Sequence, residues 1–282
     1  MRKHITYCVA LMAVLFVLAG CENTIEPIVD DIDDYAVYGY LDMRTDRQVL
    51  RVEALRPTLL ASGDDLDRVA DVSVVTIDLT SGQRIEWADS SGFDDDGGPV
   101  TFFTAGFRPL EGHEYRLSVG GSGGTLLSAN TTIPTAPVFY RDELTGTIDD
   151  FAQPAFLQGL TSAPQQLHVE YTVINIGEET PVTIPVSYGN QGFASNDGWV
   201  FTVNYHSDQY VVMRDLGRDL GEPGIRFRKI AVSFAVPSTE WQQTPGSNIS
   251  NGLGFFGSLA HYQYNWQLDA RAVELFGWID EQ

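Results

Sequence analysis

From Tyr35 onward, apolar residues recur at every second position rather than at the helical period. Gln48 to Ala54 sets Leu50, Val52 and Ala54 on one face against Val49, Arg51 and Glu53 on the other. Val72–Leu79, Gln83–Trp87, Val100–Thr104, Arg116–Val119 and Thr125–Ile133 read as further strands. Ser81-Gly82 predicts a hairpin turn, and Asp94-Asp95-Asp96-Gly97-Gly98 another. Pro109, Gly112 and Tyr115 lead into the strand at Arg116, as they do in many immunoglobulin-like secreted modules. About seven short strands in about a hundred residues predict an immunoglobulin-like β-sandwich over residues 35–135. Pro134-Thr135-Ala136-Pro137 then forms a stiff linker.

Residues 136–282 are again strand-rich and predict a second β domain. Leu167, Val169, Tyr171 and Val173 share a face; so do Trp199, Phe201, Val203 and Tyr205, and Ile230, Val232, Phe234 and Val236. Tyr262 to Ala272 alternates throughout, with Tyr262, Tyr264, Trp266, Leu268, Ala270 and Ala272 opposite Gln263, Asn265, Gln267, Asp269 and Arg271. There is no internal repeat and no long amphipathic helix, so the expected class is all-β.

The first twenty residues differ from the rest. Arg2, Lys3 and His4 precede an uncharged apolar run, Ile5 to Ala19, shorter than the roughly 20 residues of a membrane-spanning helix. The run ends in Leu18-Ala19-Gly20-Cys21, which resembles the lipobox of bacterial lipoproteins. On that resemblance residues 1–20 are a signal peptide and Cys21 is the lipidation site. Cys8 leaves with the signal, so no thiol remains for disulfides, thiolate metal sites or catalysis. Residues 21–34 form a lipidated acidic tether. Its thirteen residues after Cys21 reach at most about 45 Å.

Charge narrows the partners. The chain carries 17 Lys+Arg against 38 Asp+Glu, a formal charge of −21. Nucleic acid is excluded, because neutralising phosphates needs a basic face. Membrane attachment then falls to the lipid anchor, not to a polybasic patch. Lys229 is the only lysine after the leader. Such an acidic, lysine-poor surface fits a saline habitat or a lineage bias in composition.

Motif by motif, the chemistry is thin. Gly252-Leu253-Gly254-Phe255-Phe256-Gly257 fits a bare GxGxxG, but Asn248-Ile249-Ser250-Asn251 precedes it and an alternating strand follows. A dinucleotide site needs a strand before and a helix after, so a glycine-shaped turn is expected. His113, His168, His206 and His261 match no zinc spacing, and Gly120-Gly121-Ser122-Gly123-Gly124 is no nucleophile elbow. Adjacent aspartates at 94–96 point apart and suit a solvated hairpin tip better than calcium. No metal and no cofactor is expected. Tyr262, Tyr264 and Trp266 read as core, whereas Trp87, Trp241 and Trp278 are the candidates for exposed rings.

The segment Ser247 to Ser258 resembles the "NI-x-NG-x-G-x-FG" signature of a Bacteroidota lipoprotein family (domain of unknown function 4249), often encoded beside a TonB-dependent receptor. Asn248, Asn251, Gly252, Gly254, Phe256 and Gly257 carry the resemblance as a structural turn. The lipobox, the tether, Val37-Tyr38-Gly39-Tyr40-Leu41, Gly112 to Val119 and Thr132-Ile133-Pro134 agree with it; the tail Glu274 to Gln282 does not align. The family supplies no catalytic residues. It implies an outer-membrane lipoprotein, at the periplasmic or the cell-surface face, acting as a non-enzymatic binding or accessory module with such a receptor. The alternative is a surface glycan- or peptide-active hydrolase using paired carboxylates about 5–10 Å apart, which leave no sequence motif.

Overall fold

The computed structural model describes residues 35–281 apart from 55–71, 94–98, 122–123, 147–150, 161–162, 190–191 and 243–247. The leader 1–20, Cys21, the tether and the Asp94–Asp96 loop lie outside the described residues. Alternation in the first hundred residues after them becomes eight strands. These are β1 (Tyr35–Asp42), β2 (Arg47–Ala54), β3 (Ser73–Asp78), β4 (Arg84–Glu86), β5 (Ala88–Phe93), β6 (Pro99–Gly106), β7 (Glu114–Gly121) and β8 (Gly124–Thr132). β1-β2-β6-β5 form one layer and β4-β3-β7-β8 the other, all antiparallel. That order is the A-B-E-D against C′-C-F-G arrangement of an immunoglobulin-like sandwich.

Local chemistry explains why these strands form where they do. Leu50 and Val52 are buried while Val49 faces out, as their alternation requires. Gly82, at φ 78°, turns the chain between β3 and β4. The Tyr115 hydroxyl accepts from the Leu110 amide at 2.9 Å, pinning the approach to β7 as an immunoglobulin tyrosine corner does.

The rest of the chain supplies β9 (Val138–Arg141), β10 (Ala152–Gln158), β11 (Gln165–Ile174), β12 (Val182–Ser187), β13 (Gly192–Ser195), β14 (Gly198–Asn204), helix α1 (Tyr205–Asp215) and β15 (Arg226–Pro237). A 3-10 turn (Thr239–Gln242), β16 (Ile249–Ser250), β17 (Leu253–Trp266), helix α2 (Ala270–Leu275) and β18 (Ile279–Asp280) complete it. β13-β14-β10-β9 make a four-stranded sheet. β12-β11-β15-β17 join the β1 edge, giving a nine-stranded sheet ordered β12-β11-β15-β17-β1-β2-β6-β5, with β18 beside β15. β16 adds a fifth strand to the smaller layer of the first sandwich.

One strand serves both cores. Phe256 and Ala260 of β17 lie in the first core, and Tyr262, Tyr264 and Trp266, on the same face, pack against the second. The two smaller layers therefore cover neighbouring stretches of one side of the large sheet. Residues 35–135 do not close the first sandwich alone, because Ile249, Phe256 and Ala260 complete its core. The 134–137 linker is also tied down: the Tyr262 hydroxyl donates to the Pro134 carbonyl at 2.5 Å, and the Tyr264 hydroxyl to that of Pro137.

The alternation at the C terminus overstates the last strand. β17 ends at Trp266, and Ala270 and Ala272 belong to helix α2. Asp269 stops the strand by capping that helix, its carboxylate accepting from the Arg271 amide at 2.9 Å. Tyr205 likewise leaves its strand to open α1, capped by Asn204, whose side chain accepts from the Ser207 amide at 3.0 Å.

α1 carries a carboxylate into the second core. Asp208 is 2% exposed and accepts from the hydroxyls of Tyr171 at 2.5 Å and Tyr188 at 2.6 Å. Burial pushes its pKa up to about 6, although both hydroxyls favour the ionised form. The same burial raises the Tyr171 phenol far above its ordinary value, with the Asp208 charge adding to the effect.

Candidate ligand-binding face

The signature segment has a structural task. Asn251 adopts φ 60°, turning the chain from β16, in the small layer, to β17, in the large sheet. The Asn248 side chain brackets Phe256, accepting from its amide at 3.4 Å and donating to its carbonyl. A Cβ on Gly252 would sit 2.9 Å from Leu127 and 3.0 Å from the Tyr35 carbonyl. Gly254, at φ +111°, lies so close to β1 that a Cβ would overlap the Val37 carbonyl. β17 can then run parallel to β1, with Val37 opposite Gly254 and Gly39 opposite Phe256. The motif joins two sheets; its glycines open no phosphate cradle before a helix, and Gly254 and Gly257 lie within β17 itself.

The outer side of the large sheet is free of both smaller layers and presents two adjoining features. On β15 the outward positions are small: Ala231, Ser233 and Ala235. They lie between His168 and Glu170 of β11 and His261, Gln263 and Asn265 of β17. Small residues flanked by long ones leave a furrow, and a cleft of about 390 Å³ occupies it, with Arg44 at its rim. Glu170 is fixed there, accepting from Ser233 Oγ at 2.5 Å and Gln263 Nε2 at 2.6 Å. His261 Nε2 lies 3.4 Å from Asp42, whose carboxylate also holds Arg44 at 3.2 Å. Burial lowers the His261 pKa against the pull of Asp42, and the Arg44 charge adds to the lowering.

Beside the furrow lies a group of aromatic rings. Tyr38 and Tyr40 point outward from β1, 46% and 40% exposed. Trp241 folds back from the 3-10 turn onto Gly257, where a Cβ would meet its indole nitrogen at 2.9 Å. The indole N–H donates to the Ser258 carbonyl at 2.9 Å. Tyr40 meets it at 5.5 Å and 62°, and Phe255 at 4.9 Å and 67°, both edge-on. These rings are held before anything binds. Gly257, read at first only as part of a turn, is the seat of Trp241.

The other expected residues sort differently. Trp87 and Trp278 are buried: Trp87 donates to Thr76 Oγ1 at 2.8 Å, and Trp278 packs on Phe276 at 4.5 Å and Phe227 at 5.8 Å. Tyr262, Tyr264 and Trp266 pack against the second core, as their one-sided strand implies. His113 pairs with Asp78 at 2.8 Å, and His206 meets Tyr210 edge-on at 5.2 Å. No cluster of three metal-ligating side chains occurs among the described residues. Two further clefts, of about 650 and 480 Å³, are lined by one carboxylate each, Glu240 and Asp197. The furrow holds Glu170 alone on its walls, with Asp42 behind His261. No signal in the sequence marked the furrow, since its residues come from the β1–β2 turn, β11, β15 and β17.

No family model matches the chain, and no protein of curated function is similar to it. Among solved structures, bovine butyrophilin overlaps 84% of this chain and 99% of its own at 10% identity and a TM-score of 0.21. At that score the overlap carries no weight, and the immunoglobulin-like assignment rests on the strand order above.

Proposed function

We propose that this chain is a lipoprotein anchored to the outer membrane through Cys21, acting as a binding or accessory module beside a TonB-dependent receptor. The observation that carries the reading is the lipobox Leu18 to Cys21 followed by an acidic tether and the Ser247–Ser258 signature. The fold is consistent with it: an immunoglobulin-like sandwich whose large sheet offers a broad outer face. A stable receptor contact needs about 1,000 Å² or more of buried surface, which such a face can supply. The test is affinity purification of the full-length protein from native outer membrane, with mass spectrometry of its companions. Recovery of one TonB-dependent receptor is expected, and loss of membrane fractionation in Cys21→Ser. Recovery of the protein alone, from membranes that contain such receptors, overturns the partnership. Membrane retention of Cys21→Ser overturns the anchor.

A further inference from the structure

We infer that the furrow and its rings bind a neutral oligosaccharide, an inference that rests on reading the chain as a surface-binding lipoprotein. Three observations choose this ligand over others. First, the furrow offers fixed donors and acceptors side by side: the Glu170 carboxylate, the Ser233 hydroxyl, the Gln263 amide and the Arg44 guanidinium at the rim. Vicinal sugar hydroxyls both donate and accept, and match such an alternating set. An anionic ligand meets Glu170, and Asp42 behind it, in a chain of charge −21.

Second, the rings adjoin the polar groups. Tyr40 and Asp42 lie on one face of β1, about 7 Å apart at strand spacing, and Asp42 contacts His261 in the furrow. From the cleft at Ser233, β15 leads about 13 Å to Pro237 and the turn that carries Trp241. A pyranose has an apolar C–H face and a polar rim; exposed rings take the first and the furrow walls the second. Because Trp241 is anchored by its N–H and flanked by Tyr40 and Phe255, binding orders little.

Third, a peptide has no backbone to pair with. β11, β15 and β17 are hydrogen-bonded on both sides within the sheet, so an extended chain cannot add itself as a strand here. Recognition falls to side chains, which suits sugars.

The test uses the full-length lipoprotein in a detergent without sugar headgroups, titrated with neutral glucose, mannose and xylose hexasaccharides by calorimetry and tryptophan fluorescence. Saturable binding of at least one is expected, about tenfold or more weaker in Trp241→Ala and in Tyr40→Ala. Ser233→Leu, which fills the furrow, should abolish it, and Tyr140→Ala, on the four-stranded sheet, should leave it unchanged. Circular dichroism confirms that each variant is folded. Absence of binding to every hexasaccharide overturns the inference, as does binding that survives both Trp241→Ala and Ser233→Leu. Binding of a random-peptide pool in place of sugars overturns it equally. Receptor recovery from membranes is scored on the same preparation: sugar failure with the receptor retained sinks this inference alone, and receptor failure with sugar retained sinks only the partnership.

Discussion

Among the described residues each sandwich buries one carboxylate to 2% exposure, and the two are tuned in opposite directions. Asp78 sits at the β3–β4 turn of the first. Burial alone would raise its pKa, but Ser81, His113 and the amides of Ser81 and Thr80 bond to the charged form and hold it below the usual range. Asp208 lies inside the second core, where two tyrosine hydroxyls do not offset the loss of water. Equal exposure thus goes with opposite shifts: Asp78, near the rim, loses little hydration and gathers several donors, whereas Asp208, deep in the core, loses far more and has two. The first sandwich keeps its charge in a turn at the rim, and the second keeps a protonatable acid among tyrosines.

The largest break comes at the strand that both sandwiches share. Gly254→Ala forces a Cβ onto the Val37 carbonyl at positive φ, and should cost about 4 kcal/mol or more by thermal denaturation, with both sandwiches failing together. Gly217→Ala, at φ +67° but in open space, should cost about 1 kcal/mol. Next, Asp208→Ala strands the Tyr171 and Tyr188 hydroxyls and should cost about 3 kcal/mol in urea titrations at pH 5. If it costs nothing, the second core does not depend on its acid.

Proton linkage separates the two sites by sign. The folded pKa of Asp208 is raised, so its contribution is full below the unfolded value near 4 and is lost as pH rises through about 6. That is about 3 kcal/mol across the window, and Asp208→Asn should flatten it. The folded pKa of Asp78 is lowered, so its contribution is present above the unfolded value and disappears only as pH falls through the folded one. Asp78→Asn should cost about 1–2 kcal/mol at pH 7, and less as pH falls through the folded pKa. Urea midpoints from pH 2 to 8 for wild type and both variants check the signs; parallel curves would refute the contrast.

The comparison also shows why some elements were legible and others were not. β2, β7, β11 and β15 announce themselves because one face is apolar and the period is two. α1 does not. Its buried positions are Tyr205, Asp208, Gln209, Val212 and Met213, a helical spacing, but two of the five are polar and erase the apolar stripe. The Asn204 cap was the available signal. Past Trp266, alternation and helical spacing overlap: Ala272, Val273 and Phe276 are buried as a helix buries them, while Leu268, Ala270 and Ala272 mimic a strand. Trp87 and Trp278, near strand ends in sequence, are covered by partners that no local pattern names.

The sequence alone determined the all-β class, the hairpin at Ser81-Gly82 and the one-sided burial of the main strands, because side-chain period and backbone freedom are local properties; the glycine segment turns only at Asn251-Gly252 and is strand from Leu253 on. Only the tertiary structure decided that the two halves share a nine-stranded sheet, that Trp241 rests on Gly257 beside a furrow, and that Asp208 and Asp78 titrate in opposite directions. Those outcomes depend on which distant strands become neighbours, and desolvation and hydrogen bonding act only once they have met.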